Sequence, residues 1–154
     1  MLNGWRGTLL KDWTVVTTIA AGSGLPQTPL YLAAVPGTGV TGSIRPDTTG
    51  KSINAAPAGL HLNPAAFAAP ASGQWGSAGR DSITGPGQFS LNVSASRSFR
   101  LKSRFNLDAR IDSTNTLNHA VFTAWDTTIN STQFGLPAAA NAMRSLQATL
   151  RLRF

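Results

Sequence analysis

Four stretches of this chain alternate apolar and polar residues with period two, which puts successive side chains on opposite faces of a β-strand. In the first, Trp13, Val15, Thr17, Ile19 and Ala21 interleave with Asp12, Thr14, Val16, Thr18 and Ala20, although Val16 and Ala20 make the polar side impure. The second is the cleanest. Phe89, Leu91, Val93, Ala95, Phe99 and Leu101 alternate with Ser90, Asn92, Ser94, Ser96, Ser98 and Arg100, and Arg97 alone breaks the apolar row. The third sets Phe105, Leu107, Ala109 and Ile111 against Asn106, Asp108, Arg110 and Asp112. The fourth sets Leu146, Ala148, Leu150, Leu152 and Phe154 against Gln147, Thr149, Arg151 and Arg153. The pattern predicts an all-β chain of about four long antiparallel strands, near residues 12–22, 87–101, 104–115 and 144–154.

Between these strands lie two long loops, 23–86 and 119–142, the first holding eight of the nine prolines. Asn63 as N-cap and Pro64 at the first helical position predict a short helical turn there. The second and third strands are joined by only a few residues around Lys102 and Ser103. Long connections therefore gather at one end of the sheet and short ones at the other. That asymmetry, with strands longer than the usual five or six residues, is the habit of outer-membrane barrels, which have short periplasmic turns and long external loops. Trp13, Phe99, Phe105 and Phe154 then fall at the periplasmic edge of the lipid face, as an aromatic girdle would. Asp108, Arg110, Asp112, Arg151 and Arg153 become lumen-facing polar residues. Parity of the apolar rows predicts Phe99 opposite Phe105 and Ser98 opposite Asn106, closed by an odd-numbered loop. It also places Asp108 and Asp112 beside Arg151 and Arg153. Phe154, Leu152, Leu150, Leu107, Leu91 and Val15 are expected to be substantially exposed.

Composition agrees with a membrane wall. Charged residues are 12 % of the 154 positions, about half the share usual in soluble domains. Thirteen Lys and Arg face six acidic residues, all Asp, for a net charge of +7. Basic single-strand binders interleave aromatics with their cations; here the two occupy opposite faces, so nucleic acid is not an expected partner. The chain has no cysteine, hence no disulfide framework and no thiol nucleophile. No stretch approaches the roughly 18 apolar residues of a membrane helix. Met1–Arg6 does not read as a signal peptide, and the expectation is that further chain precedes it. Gly37-Thr38-Gly39-Val40-Thr41-Gly42 matches a dinucleotide fingerprint, but Pro46 blocks the helix that must follow, so a loop is expected. His61 and His119 have no ligand-spaced neighbours for a metal. Asp108 and Asp112 suit lumen pairing better than acid–base chemistry. With no nucleophile–base pair, neither an enzyme nor a cofactor is expected.

Several segments resemble the C-terminal end of TonB-dependent transporters, of the Oar-like branch that often carries a carboxypeptidase-regulatory-like domain. They are Asn63-Pro64-Ala65-Ala66-Phe67, Gly79-Arg80-Asp81-Ser82, Gly85-Pro86-Gly87, Ser96-Arg97-Ser98-Phe99 and Thr116-Leu117-Asn118-His119-Ala120-Val121-Phe122, in that order, together with Phe154. The likeness covers about residues 10–154. It implies a plugged barrel of about 22 strands that takes up a large solute. Residues 12–154 would be its last strands and residues 1–11 a lead-in or periplasmic turn. Leu150, Leu152 and Phe154 would form the signal read by the barrel-assembly machinery. Four strands cannot close a barrel of even about eight, and open edges are not tolerated in lipid. The expected partners are therefore the remaining barrel and plug, outer-membrane lipid, the assembly machinery, and the TonB energy-coupling system through the N-terminal part. The expected location is the cell outer membrane, and the fragment would not function alone. The competing reading is a soluble cell-surface β-sandwich acting as a binding or adhesin-like module, whose apolar face would lie under a second sheet about 10 Å away.

Overall fold

The computed structural model describes residue 7, residues 10–102 and residues 104–154. Most of the expected lead-in 1–11, and Ser103 of the expected turn, lie outside the described residues. The strands in chain order are β1 (Thr14–Gly22), β2 (Pro26–Gln27), β3 (Tyr31–Ala34), β4 (Thr41–Ile44), β5 (Asp47–Thr48), β6 (Phe67–Ala68), β7 (Ile83–Thr84), β8 (Gln88–Lys102), β9 (Phe105–Thr114), β10 (Phe122–Trp125), β11 (Pro137–Ala140) and β12 (Ser145–Arg153). The chain divides into two compact units.

One unit gathers the residues up to Ala21 with Phe89–Ala120 and Ala142–Phe154. It is built on a four-stranded sheet in the order β1-β8-β9-β12. The β-branched run Thr14–Ile19 and the alternating rows of β8, β9 and β12 suit a pleated surface. β8 and β9 pair antiparallel, with Ser94 opposite Asp112, Ser96 opposite Arg110, Ser98 opposite Asp108 and Phe99 opposite Leu107. The parity matches the expectation, but the pairing is displaced by two residues. Phe99 faces Leu107 rather than Phe105, and Ser98 faces Asp108 rather than Asn106. The cause is an irregularity between Arg100 and Lys102, after which Lys102 faces Phe105. That bulge switches the parity at the turn and leaves an even rather than an odd number of residues to close it. β12 pairs antiparallel with β9 without interruption, from Ser145–Thr114 to Arg153–Asn106.

The other unit comprises Gly22–Gln88 and Val121–Asn141, and here the two stretches expected as irregular loops are folded. β2 pairs with β7, β3 with β4, β5 with β6, and β10 with β11. The strands are only two to four residues long, too short to leave a period in the sequence. Their order comes from a small core of Leu62, Ala66, Phe67, Ala78, Ile83 and Phe134, with Phe67 and Phe134 edge to face at 6.1 Å. The helical turn is a 3-10 turn, Pro64–Ala66; the Asn63 side chain accepts from the Ala65 amide at 3.0 Å and donates to the Ser52 carbonyl at 2.9 Å. The glycine-rich motif is the turn of the β3–β4 hairpin. Gly37 and Gly39 take φ of 76° and 68° there, a region open to glycine at little cost.

Candidate functional site

Reading the register across three strands gives a ladder of polar rungs on one face of the sheet. Ser94, Asp112 and Gln147 share a level, as do Ser96, Arg110 and Thr149, then Ser98, Asp108 and Arg151, then Arg100, Asn106 and Arg153. A groove of about 600 Å³ runs along this face, lined by Ser96, Ser98, Asp108, Arg110, Thr149 and Arg151. The structure thus gathers all five expected lumen residues on successive rungs of one face. Arg153 closes on Asp108, with Nε 2.7 Å from Oδ2, and Ser98 also donates to Asp108.

The expectation for Asp112 needs correction. It lies level with Gln147, too far along the strands to meet Arg151 or Arg153. Instead Arg110, two residues away on the same face, grips it with Nε and Nη2 at 2.8–2.9 Å, the forked geometry that arginine offers a carboxylate. Arg151 stands opposite Asp108 but lies in no ion pair among the described residues.

The other face carries apolar rungs, including Phe99, Leu107 and Leu152, and Ala95, Ile111 and Ala148. Val15 is 62 % exposed, Leu150 72 % and Phe154 93 %, and Leu152 is also exposed. Leu91 and Leu107 are half-buried, contrary to expectation; Leu107 lies between the bulky Phe99 and Leu152, whereas Ile111 lies between two alanines and stays exposed. The fully buried apolar residues described (Ile44, Leu62, Ala66, Phe67, Ala78, Ile83, Val121 and Phe134) all belong to the other unit. Among the described residues, the sheet unit therefore exposes large apolar side chains and has no buried apolar cluster of its own, an arrangement costly in water. Its strands of nine to fifteen residues meet the roughly 9–11 needed to cross a bilayer when tilted.

Trp13 packs edge to face on Phe99 at 6.4 Å, so two of the four expected girdle aromatics meet. Arg97, in the apolar row, is 9 % exposed. Its guanidinium lies 4.5 Å from the Phe99 ring centre and 4.0 Å from Asp12. The roles of Asp12 and Ser98 were not legible in advance, since each depends on a register that the bulge displaces or on the bend before β1. The two histidines fall in different units: His61 stacks on Trp125 at 4.0 Å, and His119 lies beside Phe89.

A family model described as an outer membrane beta barrel domain matches residues 1–147. Comparison with curated proteins and with solved structures returns no match.

Proposed function

We propose, from the premise that this chain belongs to the outer membrane beta barrel domain family, that it forms one arc of a larger barrel through which a large solute is taken up. The protein is located in the cell outer membrane. The observation that carries the barrel reading is the contrast between the faces of the sheet. One is a continuous polar ladder suited to a wet lumen, and the other is an exposed apolar surface suited to lipid. The outer edges of β1 and β12 end the four-stranded sheet and call for further strands, because unpaired backbone is not tolerated in hydrocarbon.

The finer assignment is a TonB-dependent transporter of the Oar-like branch, and its support is the ordered set of segments from Asn63 to Phe154 described above. On this reading the partners are the remaining strands and plug, outer-membrane lipid, the barrel-assembly machinery engaging Leu150, Leu152 and Phe154, and the TonB system. The protein carries out passage rather than catalysis. The test is to cross-link the native polypeptide to TonB in energised cells and to read its full coding sequence for a plug and about eighteen further strands. The expected result is a cross-link that depends on the plug-bearing part. An outer-membrane polypeptide that inserts normally but never cross-links to TonB would refute the transporter assignment and leave barrel membership standing.

A further inference from the structure

We propose that the unit formed by Gly22–Gln88 and Val121–Asn141 carries a ligand site of its own, a cleft that takes a small anion with a flat apolar face. The cleft measures about 390 Å³ and is lined by Thr28, Ile44, Arg45, Trp75, Arg80 and Asp81 among others. That volume lies in the range of small-molecule pockets, about 300–1,000 Å³.

The walls are built before any ligand arrives. Gly76 donates to the Arg45 carbonyl at 3.1 Å and Ala78 to the Pro46 carbonyl at 2.9 Å. This brings the segment that carries Trp75 against the segment that carries Arg45. A Cβ at Gly76 would lie 2.1 Å from the Arg45 carbonyl oxygen, so only glycine permits this approach. The Arg45 guanidinium is held in turn, its Nη1 donating to the Ala78 carbonyl at 2.8 Å. On the other wall Thr28 Oγ1 donates to Asp81 Oδ1, and the Asp81 amide donates back to Thr28 Oγ1, both at 3.0 Å. Ile44, 3 % exposed, gives an apolar floor.

What lines these walls defines the ligand. Arg45 and Arg80 line the cleft with a single acidic residue, Asp81, one of whose carboxylate oxygens is already engaged, so the lining is net positive. Arg80 makes no hydrogen bond or ion pair among the described residues, which leaves its fork free for a carboxylate. Trp75 presents its ring at 58 % exposure. Tryptophan and arginine are each among the residues enriched where binding energy concentrates, and a flat apolar ring stacks favourably on an indole. A bare anion would leave Trp75 unused and a neutral ring would leave Arg80 unused. A ligand with both groups engages each.

The test titrates the full chain in detergent micelles with naphthalene-2-carboxylate, following the Trp75 indole N–H and the Thr28 and Asp81 amides by NMR. We expect saturable shifts at all three. Arg80→Gln and Trp75→Ala should each weaken binding at least five-fold while the Asn63 and Phe134 amides stay in place. Naphthalene-2-methanol and inorganic phosphate should each bind at least ten-fold more weakly than the carboxylate. Absence of saturable shifts, unchanged affinity in Arg80→Gln, or phosphate binding as tightly as naphthalene-2-carboxylate would each overturn the proposal.

Discussion

Arg153 reaches diagonally across the β9–β12 pair to Asp108, although the residue directly opposite Asp108 is Arg151. Ser98 of β8 donates to the same carboxylate, so one aspartate ties three strands together. The Arg153 side chain is 52 % exposed and that of Asp108 29 %, so water and salt screen the pair and its contribution is small. Arg151 is placed to replace Arg153 when the latter is lost. Arg153→Gln alone should barely move the urea midpoint of the micelle-embedded protein. Arg151→Gln with Arg153→Gln should lower it by more than the two single changes together. Additive effects would show that Arg151 does not substitute.

The displaced register of β8 on β9 gives a direct check, because the chain has no cysteine of its own. Ala95 faces Ile111, whereas the sequence-based register puts Ala95 opposite Ala109. Directly opposed residues have Cβ atoms about 4.5–5.5 Å apart, so mild oxidation should cross-link Ala95→Cys with Ile111→Cys far faster than Ala95→Cys with Ala109→Cys. The reverse order of rates would restore the unbulged register.

That two-residue displacement marks how far the sequence could be read. Period-two rows locate β8, β9 and β12 because each strand has one apolar and one polar face along its whole length. They specify parity and not offset, since any even shift keeps Phe99 on the same side as Leu107. The offset belongs to the bulge between Arg100 and Lys102, and no residue pattern announces it. The polar ladder was legible as a face, while the Arg110–Asp112 grip depends on side-chain reach along one strand. The second unit was legible only at Asn63-Pro64, where a local cap acts. Its core joins Leu62 to Phe134 and Ala78 to Ile83 through strands too short to show any period.

Asn63 holds its turn by two side-chain bonds, one to the Ala65 amide and one to the Ser52 carbonyl, and is itself buried. Asn63→Ala removes both and should destabilise this unit by about 1–2 kcal/mol, the upper part of the range for lost N-caps. Amide exchange at Ala66 and Phe67 should accelerate while exchange in β8 and β9 stays unchanged. Equal acceleration in both places would show that the two units unfold as one.

Gly76 offers a sharper steric test. Its missing side chain lets the backbone approach Arg45 and Pro46, and an added methyl would meet both carbonyl oxygens at 2.1–2.2 Å. Gly76→Ala should therefore break the Gly76–Arg45 and Ala78–Pro46 hydrogen bonds, visible as loss of amide protection at residues 76 and 78. Retained protection at both would mean that the segment shifts without cost.

The membrane assignment itself turns on two residues of β12 that lie on opposite faces. Leu150 belongs to the apolar row, and Gln147 belongs to the polar ladder opposite Asp112. If the apolar row faces lipid, Leu150→Arg puts a charge into hydrocarbon near the middle of a spanning strand. The expected cost is about 2–4 kcal/mol. Gln147→Arg puts the same charge in a wet lumen beside a carboxylate and should be tolerated. A soluble sheet predicts a different outcome. Leu150 is 72 % exposed, and surface substitutions at such positions change stability by only about 0.5 kcal/mol either way. Unfolding in phospholipid vesicles therefore separates the two cases. A loss confined to Leu150→Arg supports the lipid-facing row, while equal and small effects of both substitutions would overturn it.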